Sequence, residues 1–366
     1  MHVAHLETGR NLYGGARQVL MLLDGLANKG VQTTLVCPPD SAIATAAGAG
    51  AIKVATLPMK GDLDIAFVGR LSRWLAHAKP ELLHVHSRRG ADLWGGLAAW
   101  RAGIPALLTR RVDNAELPFL GALKYRSYQR VIAISAAIEK QLVTDGVGVE
   151  RIRVIHSAIR PADCQPTWSR AQFLDAFDLE AEHRIVVCVA QFIPRKGHAD
   201  LLAAWPEVLK ACPQARLVLF GQGPDEQSIR DQVARTGIES TVRLAGFRED
   251  LRHFLGRADV LVHPALKEGL GICLLEAQAA GLAIVAARAG GIPEAVAEGH
   301  SALLVPPRDP RALARALTLL LADAAMCVRM GEEGLAHVSG QFSPAGMVSG
   351  NLAVYRELLG QQAGAI

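Results

Sequence analysis

The feature that most constrains this chain is the alternation of short apolar runs with helical patterns along most of its 366 residues. The segment "GARQVLMLLDGLANKG" puts Val19, Leu22, Leu23 and Leu26 on one helical face and stops at Gly30. The run "VQTTLVC" follows as a strand, and "ELLHVHS", "PALLTRR" and "RVIAIS" read as further buried strands. Ser135 is placed to cap the helix after the last of them. Around residue 160 the pattern gives way to "IRPADCQPTWSR", rich in turn formers, which reads as a linker. Alternation then resumes through "RIVVCVAQF", "ARLVLFGQG", "VRLAGF", "DVLVHPAL", "AIVAA" and "ALLVP", and helical patterns dominate from Asp309 onward.

Parallel strands need helical crossovers, so this order predicts an α/β protein with two doubly wound parallel sheets, one over residues 1–162 and one over 168–343. In such sheets ligands sit beyond the carboxyl ends of the strands. The loops at Gly14-Gly15, His84–Gly90, Thr109–Asn114, Gln191–Gly197, Gly221–Pro224 and Lys267–Gly271 fall at those ends or at helix starts. A cleft between the two domains is the expected site.

Composition excludes several classes. Half the residues are hydrophobic and 20% are charged, a globular balance rather than a disordered one. The net charge of +4 is too mild for a nucleic-acid binder, and no aromatic-basic interleaving supports one. It suits an acidic small molecule or an anionic membrane surface. The six cysteines are scattered without a C-x-x-C pair, which fits a reduced, cytoplasmic compartment and no zinc site. "MHVAHLETGR" lacks a signal-peptide layout, and no apolar run reaches the roughly 18 residues of a membrane span. The expectation is a soluble protein with at most peripheral contact with the inner membrane.

Several loops carry chemistry. Gly14 and Gly15 precede a helix whose first N–H groups attract phosphate, although a lone Gly-Gly is more often an ordinary turn. Neither G-x-G-x-x-G nor G-x-x-x-x-G-K-[ST] is present, so a nicotinamide dehydrogenase or P-loop enzyme lacks its signature. In "QFIPRKGHADLL", Arg195 and Lys196 stand together at a helix start, an unfavourable placement unless an anion is shared. His84, His86, Arg88, Arg89, Arg110 and Arg111 gather at two strand ends of the first domain. Two arginine pairs there suit a polyanionic acceptor about as well as they suit ordinary surface charge. His86 is a candidate base or sugar ligand, or a structural histidine.

The stretch "KEGLGICLLEAQAAG" holds Glu268 and Glu276, seven residues apart in between. Two glycines in four residues make Glu268–Gly271 a loop, because each would cost a helix about 1 kcal/mol. Glu276 then rides on the helix that the loop opens. The pair is placed to grip two ends of one ligand around a phosphate-seeking helix start, rather than to share a proton.

With "AGGIPEAV" after it, this stretch resembles the E-x7-E signature of retaining glycosyltransferases of family 4, which have the GT-B fold of two Rossmann-like domains. "GGARQVL", "VIAISAAI", "RKGHADLL", "LFGQGP", "VRLAGF", "ADVLVHPA" and "ALLVPPRDPRALARAL" match in order along the whole chain. The resemblance implies that Glu276 binds ribose hydroxyls of a nucleotide-sugar, UDP- or GDP-linked, and that Glu268 contacts its sugar. It implies that Leu270, Gly271 and Ile272 offer amides to sugar and diphosphate, and that Lys196 binds the diphosphate. Gly246 and Phe247 would lie near the base, and Gly14 and Gly15 would cover the phosphates. A closing helix within 344–366 would cross back to the first domain. No metal is expected, and retention implies same-face attack assisted by the leaving phosphate.

Two positions depart from the family pattern. Gln191 stands where a diphosphate-binding arginine is usual, with Arg195 the expected substitute. Arg111 stands where many members carry a histidine, leaving Glu268, His86 and Arg111 as the catalytic candidates. Arg88, Arg89, Arg110 and Arg111 are the candidate acceptor site, and the expected acceptor is an anionic glycan or glycolipid such as the lipopolysaccharide core. A small soluble acceptor, or a catalytically weak sugar-nucleotide-binding subunit, is the alternative.

Overall fold

The computed structural model describes residues 1–48, 50, 52–86, 90–116, 121 and 124–360. The chain divides into two units, one formed by Met1–Ala158 together with the segment that begins at Pro344, the other by Ile159–Ser343. Each unit is a doubly wound α/β layer structure, as the alternation of elements requires.

The first unit carries β1 (His2–Leu6), β2 (Gln32–Cys37), β3 (Lys53–Thr56), β4 (Leu82–His86), β5 (Ala106–Arg110), β6 (Arg130–Ala133) and β7 (Ile152–Val154). All pairings are parallel, in the order β3-β2-β1-β4-β5-β6-β7. Helices on both faces bury the central strands completely, and every residue of β4 and β5 is buried. On one face Leu22 and Leu26 of the helix Gly14–Ala27 pack with Val3, Leu82 and Leu107. The closing helix Pro344–Leu358 joins that same cluster through Val348, Leu352 and Tyr355.

The second unit carries β8 (Arg184–Val189), β9 (Ala215–Phe220), β10 (Val242–Gly246), β11 (Val260–His263), β12 (Ala283–Ala287) and β13 (Ala302–Val305). Its parallel order is β10-β9-β8-β11-β12-β13. Trp205 is its largest fully buried side chain, with the indole N–H donating to Thr241 Oγ1 at 3.2 Å. Truncating it to alanine would cost about 3–5 kcal/mol.

Local signals set the helix ends. Ser135 Oγ accepts from Ile138 N–H at 3.1 Å, and Asp309 and Asp323 cap the helices Pro310–Ala322 and Ala324–Gln341 in the same way. Ser169 and Gln172 form a reciprocal capping box just after the turn-rich linker. In each sheet the strand order reverses once, between β1 and β4 and between β8 and β11. Those two reversals are where an open α/β sheet places ligands. Among the described residues no helix is long and apolar enough to cross a membrane, and the six cysteines are free thiols.

Candidate functional site

At the reversal in the second unit, the loop after β8 meets the loop after β11. Gly197 lies in the left-handed region (φ 73°), and a Cβ there would stand 2.0 Å from the Pro264 carbonyl oxygen. Glycine is therefore what lets the loops touch, and Leu266 N–H ties them by donating to the Arg195 carbonyl at 2.8 Å. The contact brings Lys196, at the end of the turn Pro194–Lys196, into an ion pair with Glu268.

Glu268 is held from several directions. Its Oε2 accepts from His263 Nε2 at 2.8 Å, and its Oε1 accepts from Gly269 N–H at 3.2 Å. Its carbonyl accepts from Gly291 N–H at 2.9 Å. Gly290 (φ 54°) makes room for this, since a Cβ there would come within 2.1 Å of that carbonyl oxygen. On the other side of the imidazole, His263 Nδ1 faces Cys273 Sγ at 3.6 Å.

Burial opposes charge on His263, but the Cys273 sulfur and the Glu268 carboxylate outweigh it and raise its pKa to about 9. Burial opposes charge on Glu268 too, yet Lys196 and His263 overcome it and hold the carboxyl well below the usual carboxylate range. At neutral pH two cations thus stand on one carboxylate oxygen, Glu268 Oε2. The group sits beside the start of the helix Ile272–Ala279, whose N-cap is Gly271. Leu270 is buried and Ile272 is the first helical residue, so the amides of this turn and the helix dipole add to the attraction for an anion.

Glu276 lies one turn along that helix and does not share a partner with Glu268. Arg252 Nε and Nη2 both donate to Glu276 Oε1, at 2.9 and 2.7 Å. Gln191 is exposed and Arg195 half-buried on the loop after β8. Gly246 (φ 71°) ends β10, and Phe247 after it is 44% exposed, at the edge of the sheet.

At the reversal in the first unit the chemistry differs. His5 on β1 and His84 and His86 on β4 are each 0% exposed. His5 Nδ1 and His86 Nε2 share a hydrogen bond at 3.1 Å, while His84 bonds the Tyr355 hydroxyl at 2.7 Å and the Thr109 hydroxyl at 2.6 Å. Burial, with smaller contributions from neighbouring imidazoles and Arg111, keeps His84 and His86 well below the ordinary histidine value. For His5 the value falls to about 3. The ligand atoms of the three rings lie within 4.8 Å of one another, a spacing a metal ion could bridge. However, both nitrogens of His84 already hold hydroxyls, no carboxylate joins the set, and Arg111 adds positive charge. This donor set favours a neutral hydrogen-bonded core over a cation.

Two sequence expectations are corrected here. His86, a candidate base, is sealed in that core, where burial makes its imidazole a weak base. Arg110, expected to face an anionic acceptor, is 4% exposed and spent internally. Its guanidinium pairs with Glu116 and donates to the Asn114 carbonyl, while Lys124 holds Glu116 and, at 3.0 Å, Asp92. A buried network of this kind leaves no hydrogen-bonding fork for a ligand. Arg111 is half-buried, its Cδ 3.6 Å from where a Cβ on Gly15 would be. Its Nη1 donates to Ser157 Oγ at 3.4 Å, and burial lowers its pKa to about 10 against the pull of Glu7 and Tyr355. Gly14 and Gly15 open the helix Gly14–Ala27. Arg88 and Arg89 lie outside the described residues.

His263, Cys273 and Arg252 were not singled out from the sequence. For His263 a signal existed: a polar residue inside the buried run "DVLVHPAL" must find partners. Nothing local marked Arg252, since its partner is 24 residues away.

Comparison with known proteins matches both units. The family model described as Glycosyltransferase Family 4 fits residues 13–163, and the one described as Glycosyl transferases group 1 fits residues 170–337. The lipopolysaccharide core biosynthesis glycosyltransferase LpsE of Rhizobium meliloti is 26% identical over 94% of this chain and 95% of that protein. A GDP-mannose-dependent phosphatidylinositol monomannoside mannosyltransferase of Mycobacterium tuberculosis is 31% identical over 80% of this chain and 75% of its own length. Against the related Corynebacterium glutamicum enzyme, 33% identical, the match spans about half of that relative, 51%. The crystal structure of Anabaena Alr3699/HepE with UDP superposes with a TM-score of 0.85 at 19% identity, covering 98% of this chain and all of that one. The chain therefore belongs to the family 4 glycosyltransferases of the GT-B fold.

Proposed function

We propose that this enzyme is a retaining glycosyltransferase that moves a sugar from a nucleoside-diphosphate donor to an anionic acceptor, with lipopolysaccharide core or a lipid-linked glycan the best-supported class. The observation that carries the reading is the Lys196–Glu268–His263 group at the start of the helix Ile272–Ala279. Its two cationic side chains and its position at the strand reversal suit a diphosphate leaving group. Lys196, protonated His263 and the helix start would stabilise the departing diphosphate, supplying charge that a metal provides elsewhere. Glu268 would orient the sugar, with the amides around Leu270–Ile272 beside it, and Glu276 would accept from the ribose hydroxyls. Arg195 would assist at the diphosphate in place of Gln191. Same-face attack would pass the acceptor proton to the leaving phosphate, because His86 is not placed as a base.

LpsE, similar over nearly the full length of both chains, supports the acceptor class. The GDP-mannose-dependent relatives and the UDP complex of HepE leave both nucleotides in play. With Arg110 spent internally, Arg88, Arg89 and Arg111 remain as the acceptor arginines. No membrane-spanning helix is needed for such work on the cytoplasmic face of the inner membrane, where an anionic surface would attract the mildly basic chain.

The test is a thermal-shift screen of UDP- and GDP-sugars, followed by donor hydrolysis without acceptor. One nucleotide-sugar should raise the melting temperature in a concentration-dependent way and be hydrolysed slowly by the wild type. Stabilisation without hydrolysis or transfer to core oligosaccharide would reduce the protein to a binding subunit. Failure of every donor to bind would overturn the reading.

A further inference from the structure

We infer that Arg252 is a positioning residue for donor recognition, which turns one oxygen of Glu276 toward a vicinal diol by occupying the other. This rests on the reading of Glu276 as the ribose contact given above.

A guanidinium and a carboxylate normally meet fork to fork, each nitrogen on its own oxygen. Here Nε and Nη2 both close on Oε1, at 2.9 and 2.7 Å. Oε2 makes no hydrogen bond among the described residues, although the Glu276 side chain is only 14% exposed. Oε2 is therefore the oxygen left to accept from solvent or from a ligand. Two neighbouring hydroxyls supply what it lacks, because one carboxylate oxygen has two lone pairs and can accept from both.

The arginine is itself fixed. It lies in the short turn Leu251–His253, where Leu251 is buried and the His253 carbonyl accepts from Trp168 N–H at 3.0 Å. The His253 ring bonds Thr167 Oγ1 at 2.9 Å. The Arg252 side chain is 18% exposed, and burial disfavours its charge while Glu276 more than restores it.

The experiment measures the affinity of wild type, Arg252→Met and Arg252→Lys for UDP and GDP, each against its 2′,3′-dideoxy form. Wild type should prefer the ribose form of whichever nucleotide it binds by roughly tenfold to a hundredfold, the worth of hydrogen bonds to a charged acceptor. Arg252→Met should lose most of that preference, while Arg252→Lys, which can still donate to Glu276, restores part of it. If Arg252→Met does not fold, the lysine variant decides alone: its preference should fall between wild type and none. An unchanged preference in either folded variant overturns the inference while leaving the donor reading intact. If wild type binds neither nucleotide, the donor reading fails and takes the inference with it.

Discussion

Two sets of histidines stand at equivalent places in the two sheets, at the strand ends beside the reversal of strand order, and they carry opposite charge states. His86 ends β4 with His84 two residues before it, His263 ends β11, and all three are completely buried. Burial alone therefore cannot explain the difference. His84 has only hydroxyl partners, Tyr355 and Thr109, and His86 has His5, so nothing offsets the cost of a proton. His263 has a carboxylate at 2.8 Å on one nitrogen and a sulfur at 3.6 Å on the other. One fold thus builds a neutral core in its first unit and a charged cluster in its second, by changing what stands next to the ring.

Removing the carboxylate should collapse the contrast most sharply. Glu268→Gln leaves Lys196 and His263 without their shared anion, and donor turnover should fall by roughly 10²–10³-fold, the scale of losing one preorganised electrostatic contact. Stability at neutral pH should fall by about 3 kcal/mol, because a buried pair is being broken rather than replaced. Donor hydrolysis and urea unfolding check the two parts separately.

The pH dependence of stability should slope in opposite directions for the two sets. His263 is raised from 6.5 to about 9, so its contribution is complete below pH 6.5 and is lost as pH rises through about 9. The span corresponds to about 3 kcal/mol, and comparison of wild type with His263→Gln by urea unfolding should show that difference vanishing at alkaline pH. His5 is lowered to about 3, and His84 and His86 are lowered as well, so their contribution is present above pH 6.5 and lost on acidification. Each proton that the folded cluster refuses destabilises by about 1.4 kcal/mol per pH unit. The variant His86→Asn should flatten the acid limb and leave the alkaline limb unchanged. Buried His198, lowered to about 4, adds to the acid limb from the second unit and remains in both proteins.

The smallest effect belongs to Arg111. Its single hydroxyl contact is long, at 3.4 Å, and its Nε has no partner among the described residues. Arg111→Met should change stability by about 1 kcal/mol or less while raising the titration of His84 and His86, since one nearby positive charge is gone. A fall in those values would mean that the guanidinium supports the imidazoles rather than opposing them.

What the sequence made legible follows from local physics. Apolar runs and turn signals located both parallel sheets, and Ser135 was readable as a cap because the N–H that donates to it lies three residues away. Two glycines in Glu268–Gly271 separated the loop glutamate from the helical one. What stayed hidden depends on distance along the chain. Tyr355 reaches His84 across 271 residues, and no local pattern announces that hydroxyl. Arg110 read as a ligand-facing arginine until Glu116 and Lys124 were seen to enclose it. The charge on His263 was illegible for the same reason, because a histidine in an apolar run gives no sign of which neighbours its two nitrogens will find.

The most direct measurement is a pH titration of the protein labelled with ¹⁵N in its histidine rings, followed by NMR, with His263→Gln and His86→Asn used to assign signals. The account predicts that His263 is cationic at neutral pH with a midpoint near 9, while His84 and His86 remain neutral imidazoles down to the acid limit of the fold. A His263 midpoint at or below 6.5 would contradict it, because the site would then lack the second cation that suits it to a diphosphate.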